Sequence, residues 1–281
     1  MPAASAWPPL PPYDGWAGTC DTLHAHAQVL GKLAAALAPP EPGFQHLALR
    51  LTARGWETLP LPAPDGSGAF VVVLDLHAHH VVVEHSNGAT RRVALMPDRS
   101  VGVVTRRLLA AVRELAGDAI RIDPAPQEVH WSVPLDEDEQ HATYDPHAVA
   151  AYLRAATAAA GVLAAFRASH GGRSTPVNAW WGSFDLAVSL FAGEDAGERE
   201  LAVGWWPGDP RHPRPAFYAY ARPATDAFAQ ARLDPPQARW DADLGEHLLD
   251  HAAVAAAADP QMAALAFLRA ALLRAGVSPV R

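Results

Sequence analysis

Apolar residues recur at helical spacing through Leu23, Ala27, Leu30 and Ala34, which predicts a helix over 21–37, with Asp21 or Thr19 as its cap and Pro39-Pro40 as its stop. The period then changes. Residues 46–54, 70–76 and 81–85 alternate or run apolar with β-branched side chains, and Gly55, Asp65-Gly66 and Asn87-Gly88 read as turns between them, so an antiparallel meander is expected. A helix over about 100–115, closed by Gly117, and a short strand over 119–123 come next. Residues 124–145 break the pattern with prolines and the acidic run at 136–139. Beyond them the plan repeats. Asp145-Pro146 opens a helix that runs to 169, three strand-like runs follow at 177–191, 201–206 and 216–221, and a helical region over about 244–275 is broken at Asp259-Pro260.

This reading gives an α+β fold of two lobes, each built as helix, antiparallel strands, helix, a plan that an old internal duplication would produce. The lobes are placed at 1–131 and 146–281, joined by an acidic linker at 132–145. A single α+β domain with one continuous sheet is the alternative.

Composition narrows the function more than the fold. The chain has 281 residues, half of them apolar, with a net charge of −8 and no long run of Lys or Arg. That balance argues against a binder of nucleic-acid phosphates and against attachment to an anionic membrane, and suits a small neutral or cationic partner. One cysteine, Cys20, excludes a disulfide framework and any multi-cysteine metal site. The opening residues have no positive region and no apolar core of a signal peptide, and no 18-residue apolar stretch is read further on, so the expected compartment is the cytoplasm.

Candidate chemistry gathers in the second half. Read as one strand, residues 175–189 put Trp180, Phe184, Leu186 and Val188 on one face and Trp181, Ser183, Asp185 and Ser189 on the other. The second face sets an aromatic beside a hydroxyl and a carboxylate. Trp205-Trp206 and the run Phe217-Tyr218-Ala219-Tyr220 add aromatic walls of the kind that line small-molecule sites. His141, Tyr144 and Asp145 stand together at the lobe junction, and His141 is by type the best general acid or base. Among fourteen His, the cluster of His77, His79, His80 and His85 with Asp75 reads as a solvated hairpin tip, and Glu246-His247 with Asp250-His251 as a helix face. There is no dinucleotide fingerprint, P-loop or serine elbow.

Together these residues resemble an uncharacterised bacterial family known as domain of unknown function 5996. The resemblance covers nearly the whole chain. It rests on Trp7-Pro8, Leu10-Pro11, residues 21–24 with Gln28 and Gly31-Lys32, residues 52–55, and His141 with residues 144–146. Further along it rests on Pro176-Val177, residues 181–188, residues 206–208, residues 217–220 and residues 244–246. The family carries His where this chain has Asn178, which implies a weaker metal or acid–base role at that position. The resemblance brings no activity with it, but it implies weight for Lys32, Arg54, His141, Tyr144, Asp185 and Glu246.

The expectation is a protein that binds a small organic molecule in an aromatic-lined cleft, as an enzyme of undefined reaction class that uses no nucleotide cofactor. His141, Asp185, Tyr144 and Glu246 are the catalytic candidates. Lys32, Arg54, Trp181, Ser183, Trp206, Tyr218 and Tyr220 are the ligand-binding candidates. A bound metal and a homo-oligomer are both left open. A non-catalytic binding or sensing module and a protein-interaction or structural role are the alternatives.

Overall fold

The computed structural model describes residues 7–192 and 199–277. The fold is α+β with two separate antiparallel sheets rather than one continuous sheet. The chain falls into two compact units, the first comprising Trp16–Leu153 and Ala179–Phe184, the second the described parts of Met1–Gly15, Arg154–Asn178 and Asp185–Arg281. The division therefore lies inside a helix, after Leu153, and not in the acidic stretch at 132–145.

The first unit opens with α1 (Ala17–Leu37), which starts four residues earlier than the sequence pattern predicts and has Trp16 as its N-cap without a side-chain hydrogen bond. Thr19 and Asp21 consequently lie within the helix; the Thr19 hydroxyl instead accepts the Asp145 backbone N–H at 3.1 Å. Buried residues run round the whole helix, including Thr22, His24, His26, Gln28 and Lys32, so α1 is a central helix and not a surface one with a single apolar stripe. The sheet contains β1 (Arg50–Leu51), β2 (Gly55–Glu57), β3 (Leu61–Pro62), β4 (Ala69–Asp75), β5 (His80–His85) and β6 (Thr90–Ala94), in the order β1-β2-β4-β5-β6 with β3 also paired to β4. Gly55 is part of β2 and not a turn. Its φ is +140° and an added Cβ would stand 2.2 Å from the Leu74 carbonyl oxygen, so the close approach of β4 demands glycine there.

Helix α2 (Val101–Ala116) packs on β5 and β6. The Ser100 hydroxyl accepts the Val103 N–H, and the acidic stretch supplies the rest of the cap: the carbonyls of His141 and Asp138 accept the N–H groups of Val101 and Gly102 at 2.8 and 2.7 Å. Glu139 binds the Ser100 hydroxyl at 2.5 Å and Arg106 at 3.0 Å. Carboxylates are favoured at a helix N-terminus, so 136–141 is a packed cap rather than a linker. The strand expected at 119–123 is an unpaired segment.

α3 (Pro146–Ala168) begins where Asp145-Pro146 predicts, with Asp145 Oδ1 accepting the His147 N–H at 2.8 Å. By length and composition this helix could cross a membrane, a possibility the sequence reading missed, yet half of its most apolar window is buried within the protein. Val149, Tyr152, Ala156, Ala159, Leu163 and Phe166 form its buried stripe, the pattern of a core helix.

After β7 (Asn178–Trp180), the second unit contains β8 (Asp185–Ala192), β9 (Arg199–Trp206), β10 (Ala216–Arg222), the short α4 (Asp226–Ala229), β11 (Arg239–Asp241), β12 (Glu246–Asp250), α5 (His251–Ala255) and α6 (Pro260–Ala275). Strands β8 to β12 run in the order β11-β12-β10-β9-β8. The helix expected from 244 is thus a strand up to Asp250. The reason is local: Asp241 accepts the N–H groups of Asp243 and Leu244, Gly245 takes φ +72°, and the resulting tight turn folds β12 back on β11. The break at Asp259-Pro260 is where the sequence places it, with Asp259 capping α6 through Met262 N–H. His251 anchors the proline-rich lead. Its Nδ1 accepts the indole N–H groups of Trp7 and Trp205, both at 3.3 Å, while Nε2 donates to the Pro8 carbonyl at 2.8 Å.

Candidate functional site

Side chains alternate across a strand, so the pairing register assigns each residue of the second sheet to a face. Ala187 lies opposite Gly204, Gly204 opposite Tyr218, and Tyr218 opposite Leu248. Two residues along from this row on the same face stand Asp185 on β8 and Trp206 on β9 to one side, and Tyr220 on β10 and Glu246 on β12 to the other. The opposite face is apolar and fully buried through Leu201, Val203, Trp205, Phe217, Ala219 and Leu249.

Gly204 makes the polar face possible. A Cβ at this position would stand 2.4 Å from the Leu186 carbonyl oxygen and from Cζ and Oη of Tyr218, so the phenol ring lies directly across β9. Crossing there lets Tyr218 reach from β10 to β8, where its hydroxyl donates to Asp185 Oδ2. Both side chains are buried. Trp206 meets the Tyr218 ring edge-on at 5.6 Å, and Tyr220 lies parallel to it at 6.2 Å. Asp250 ties the loop after β9 to β11, holding Arg214 Nε at 3.2 Å and Arg239 Nη1 at 3.1 Å, and the His212 ring packs tilted against Trp206 at 5.5 Å.

Electrostatics separate the two carboxyl groups of this face. Burial, and after it the negative charge of Asp185, push the Glu246 carboxyl up to about 7. Burial and the Asp185 charge also raise the Tyr218 phenol well above its ordinary range, and burial pushes Tyr220 up to about 12. Near neutrality, then, Glu246 exchanges a proton readily while the phenols stay protonated and act as donors.

The structure brings together five of the predicted residues, Asp185, Trp206, Tyr218, Tyr220 and Glu246. The other six lie in the first unit. Residues 181–184 form a turn between β7 and β8, with Phe184 at φ +57°, so the single strand expected over 177–191 is two and Trp181 and Ser183 do not share a face with Asp185. Trp181 is held by its indole N–H to the Leu47 carbonyl at 3.0 Å and lies flat on Gly31, where a Cβ would stand 2.1 Å from the ring. Lys32 pairs with Asp123 at 3.3 Å, its ammonium 5.6 Å from the Trp181 ring. Arg54 is engaged by Glu84 at 2.9 Å and Glu57 at 3.7 Å.

His141 Nδ1 stands 2.7 Å from Asp138 Oδ2, and the other oxygen of that fully buried carboxylate accepts the N–H groups of Gln140 and His141. Tyr144 is hydrogen-bonded to His79 at 3.0 Å, and burial raises its phenol. Glu246 and Asp250 still share a face, now because they are four apart on a strand. His247 points the other way, where its Nε2 meets the Phe228 carbonyl at 2.8 Å. Among the described residues no group of three or more His, Cys, Asp and Glu is placed to hold a metal ion.

Gly204, Gly31 and Gln28 are what residue chemistry alone misses. The Gln28 amide grips the backbone of Gln127 from both sides, donating at 2.8 Å and accepting at 2.9 Å. A glycine flanked by Val203 and Trp205 in an apolar run was the one available signal for a crossing side chain.

A family model matches residues 7–277 of the chain. The chain belongs to that family of unknown function, DUF5996. No curated protein and no solved structure gives a significant match. The motifs that carried the resemblance now have places: in this DUF5996 chain Gly31 seats Trp181, and the segments 181–188, 206–208, 217–220 and 244–246 contribute Asp185, Trp206, Tyr218, Tyr220 and Glu246.

Proposed function

We propose that this chain binds a small organic molecule on the polar face of its second sheet and acts on it by proton transfer, with Glu246 as the exchanging acid or base. The observation that carries this reading is the half-buried Glu246 carboxyl, displaced to about 7, on the same sheet face as the Tyr218–Asp185 pair and the Trp206 and Tyr220 rings. A general acid or base works best when its pKa is near the operating pH, which an ordinary glutamate does not meet. Asp185, held by the Tyr218 hydroxyl, supplies a fixed negative charge within its electrostatic reach. Two carboxyl groups among aromatic rings favour a neutral or cationic ligand, such as an amine, over an anion.

The test is thermal stabilisation by a panel of aliphatic and aromatic amines and their matched carboxylic acids at pH 7, followed by product analysis of any stabilising amine by mass spectrometry. Amines are expected to raise Tm by several degrees in the wild type and to lose that effect in Asp185→Asn and Glu246→Gln variants that retain the wild-type circular dichroism. Product formed by the wild type and not by Glu246→Gln supports catalysis. Binding without product moves the protein to the class of ligand-binding modules, and stabilisation by acids alone, or by nothing in the panel, overturns the site.

A further inference from the structure

A groove of about 550 Å³ in the first unit is lined by Arg91, Arg92, Val93 and Ala94 of β6, by Arg99, and by Arg107, Ala110, Ala111 and Glu114 of α2. Four guanidinium groups against one carboxylate make it basic on a chain whose net charge is −8. Because four consecutive β6 residues line it, and neighbouring side chains leave a strand on opposite faces, the groove follows the free edge of the strand rather than one face of the sheet. β6 ends the sheet order, and among the described residues no strand pairs with its outer side.

The hydrogen bonds fix which backbone groups that edge presents. Leu95 N–H donates to the His79 carbonyl and His85 N–H to the Ala89 carbonyl, which, with the pairing of Val81 to Val93 and Val83 to Arg91, turns the backbone of Val93 and Arg91 toward β5. The backbone groups of Thr90, Arg92 and Ala94 therefore face outward. Two of the three outward carbonyls carry a guanidinium: Arg91 Nη1 donates to Thr90 O at 3.0 Å and Arg99 Nη1 to Ala94 O at 2.6 Å. Arg92 lies between them.

We propose that this edge receives an extended, acidic peptide segment of a partner protein, which adds a strand beside β6 and sets its carboxylates on Arg91, Arg92, Arg99 and Arg107. The parked guanidiniums supply the selectivity. A neutral strand would have to compete with them for the carbonyls of Thr90 and Ala94, whereas a strand carrying carboxylates offers Arg99 a stronger, charge-assisted acceptor that frees the Ala94 carbonyl to pair. The groove wall already holds one charge-assisted pair, where Glu114 grips Arg91 Nη2 and Nε with both oxygens, at 2.5 and 3.0 Å, while Arg91 Nη1 stays on the Thr90 carbonyl. Ala110 and Ala111 leave room beside the edge for a backbone. Charges on an edge strand alone would serve to repel other strands. Arg107, which comes from the helix across the groove, makes this a cation-lined channel instead.

Fluorescence anisotropy with the full chain tests the proposal, using a fluorescein-labelled peptide of four Glu-Val repeats, the same peptide N-methylated at alternate residues, four Lys-Val repeats, and a ten-nucleotide thymidine oligomer. The expected result is saturable binding of the Glu-Val peptide, at least tenfold weaker with the methylated and the Lys-Val peptides, and at least tenfold weaker with a folded Arg92→Glu, Arg107→Glu double variant. The proposal is overturned if the Glu-Val peptide fails to bind, or if the double variant binds it equally well. It is also overturned if methylation has no effect, or if the oligonucleotide binds as tightly as the peptide, since either marks a general polyanion surface. A concentration-dependent dimer abolished by the same double variant would overturn it too, by assigning the edge to a second copy of the chain.

Discussion

Replacing Glu246 by glutamine is expected to make the protein more stable, and only at high pH. In the folded chain burial and the Asp185 charge move this carboxyl from an ordinary 4.5 up to about 7, so the native state holds the proton more tightly than the unfolded chain does. A raised acid pKa contributes stability below the unfolded value, and that contribution is lost as pH rises from about 4.5 through about 7. Each tenfold displacement of the proton equilibrium is worth about 1.4 kcal/mol. The full displacement therefore penalises the ionised native state by about 3 kcal/mol at pH 8, which screening of a half-buried group reduces to about 2 kcal/mol. At pH 5 the penalty is below about 1 kcal/mol. Glutamine has the shape of the protonated acid and escapes this penalty. Urea unfolding at pH 5 and pH 8, at matched ionic strength and followed by tryptophan fluorescence and circular dichroism, should show Glu246→Gln near wild type at pH 5 and more stable by about 2 kcal/mol at pH 8. A variant that is less stable than wild type at pH 8, or displaced equally at both pH values, would show that Glu246 is a structural carboxylate and sink the argument.

Gly31→Ala should destabilise by about 2 kcal/mol in thermal or urea denaturation: driving a Cβ into the Trp181 ring costs about 1–3 kcal/mol and disturbs the indole bond to Leu47, against about 1 kcal/mol gained in helix propensity. A more stable variant would mean that the ring has room to move. His26 is buried, its Nδ1 has no hydrogen-bond partner, and burial lowers it to about 4. Its stability contribution is therefore complete above about 6.5 and lost as pH falls toward 4. Wild type should lose on the order of 2 kcal/mol between pH 7.5 and pH 5 that a His26→Leu variant does not; equal losses in the two proteins would refute this origin.

Much of the fold could be read from the chain because its signals are local. Ser100 and Gly117 bracket α2, Asp145-Pro146 opens α3 and Asp259-Pro260 opens α6, each through a cap or a proline that acts over a few residues. The errors share a different cause. The segment at 246–250 keeps an i, i+4 repeat that suits a helix as well as one face of a strand, and only the turn at Asp241 and Gly245 decides between them. The turn at 181–184 is hidden because Phe184 takes a positive φ that glycine usually marks. The acidic run at 136–139 looks like a linker by composition, and becomes a helix cap only once α2 is in place. At the candidate site, residue type found Asp185, Trp206, Tyr218, Tyr220 and Glu246, but their meeting on one face depends on strand register, which a single sequence does not contain.

On the proposed reading, the electrostatic cost at Glu246 favours it over His141, the strongest candidate by residue type, as the proton-exchanging group. Asp138 beside it has a complete structural explanation: its carbonyl caps α2, one oxygen closes the 138–141 turn, and the other meets the imidazole. Every one of those bonds satisfies a group that folding would otherwise leave bare. Glu246 stands in the opposite position. Folding places its carboxyl in a half-buried setting that opposes ionisation, within the field of a second carboxylate, on a face where Ala187 and Leu248 show that apolar side chains fit. A Val or Leu at 246 would extend that apolar surface and remove the repulsion. A residue that costs stability where an ordinary substitution would add it is better explained by chemistry than by architecture. Gly204 gives up β-propensity inside a central strand where a Cβ would meet both the Leu186 carbonyl oxygen and the Tyr218 phenol, each at 2.4 Å, so glycine there serves the close approach of β8 as well as the crossing ring.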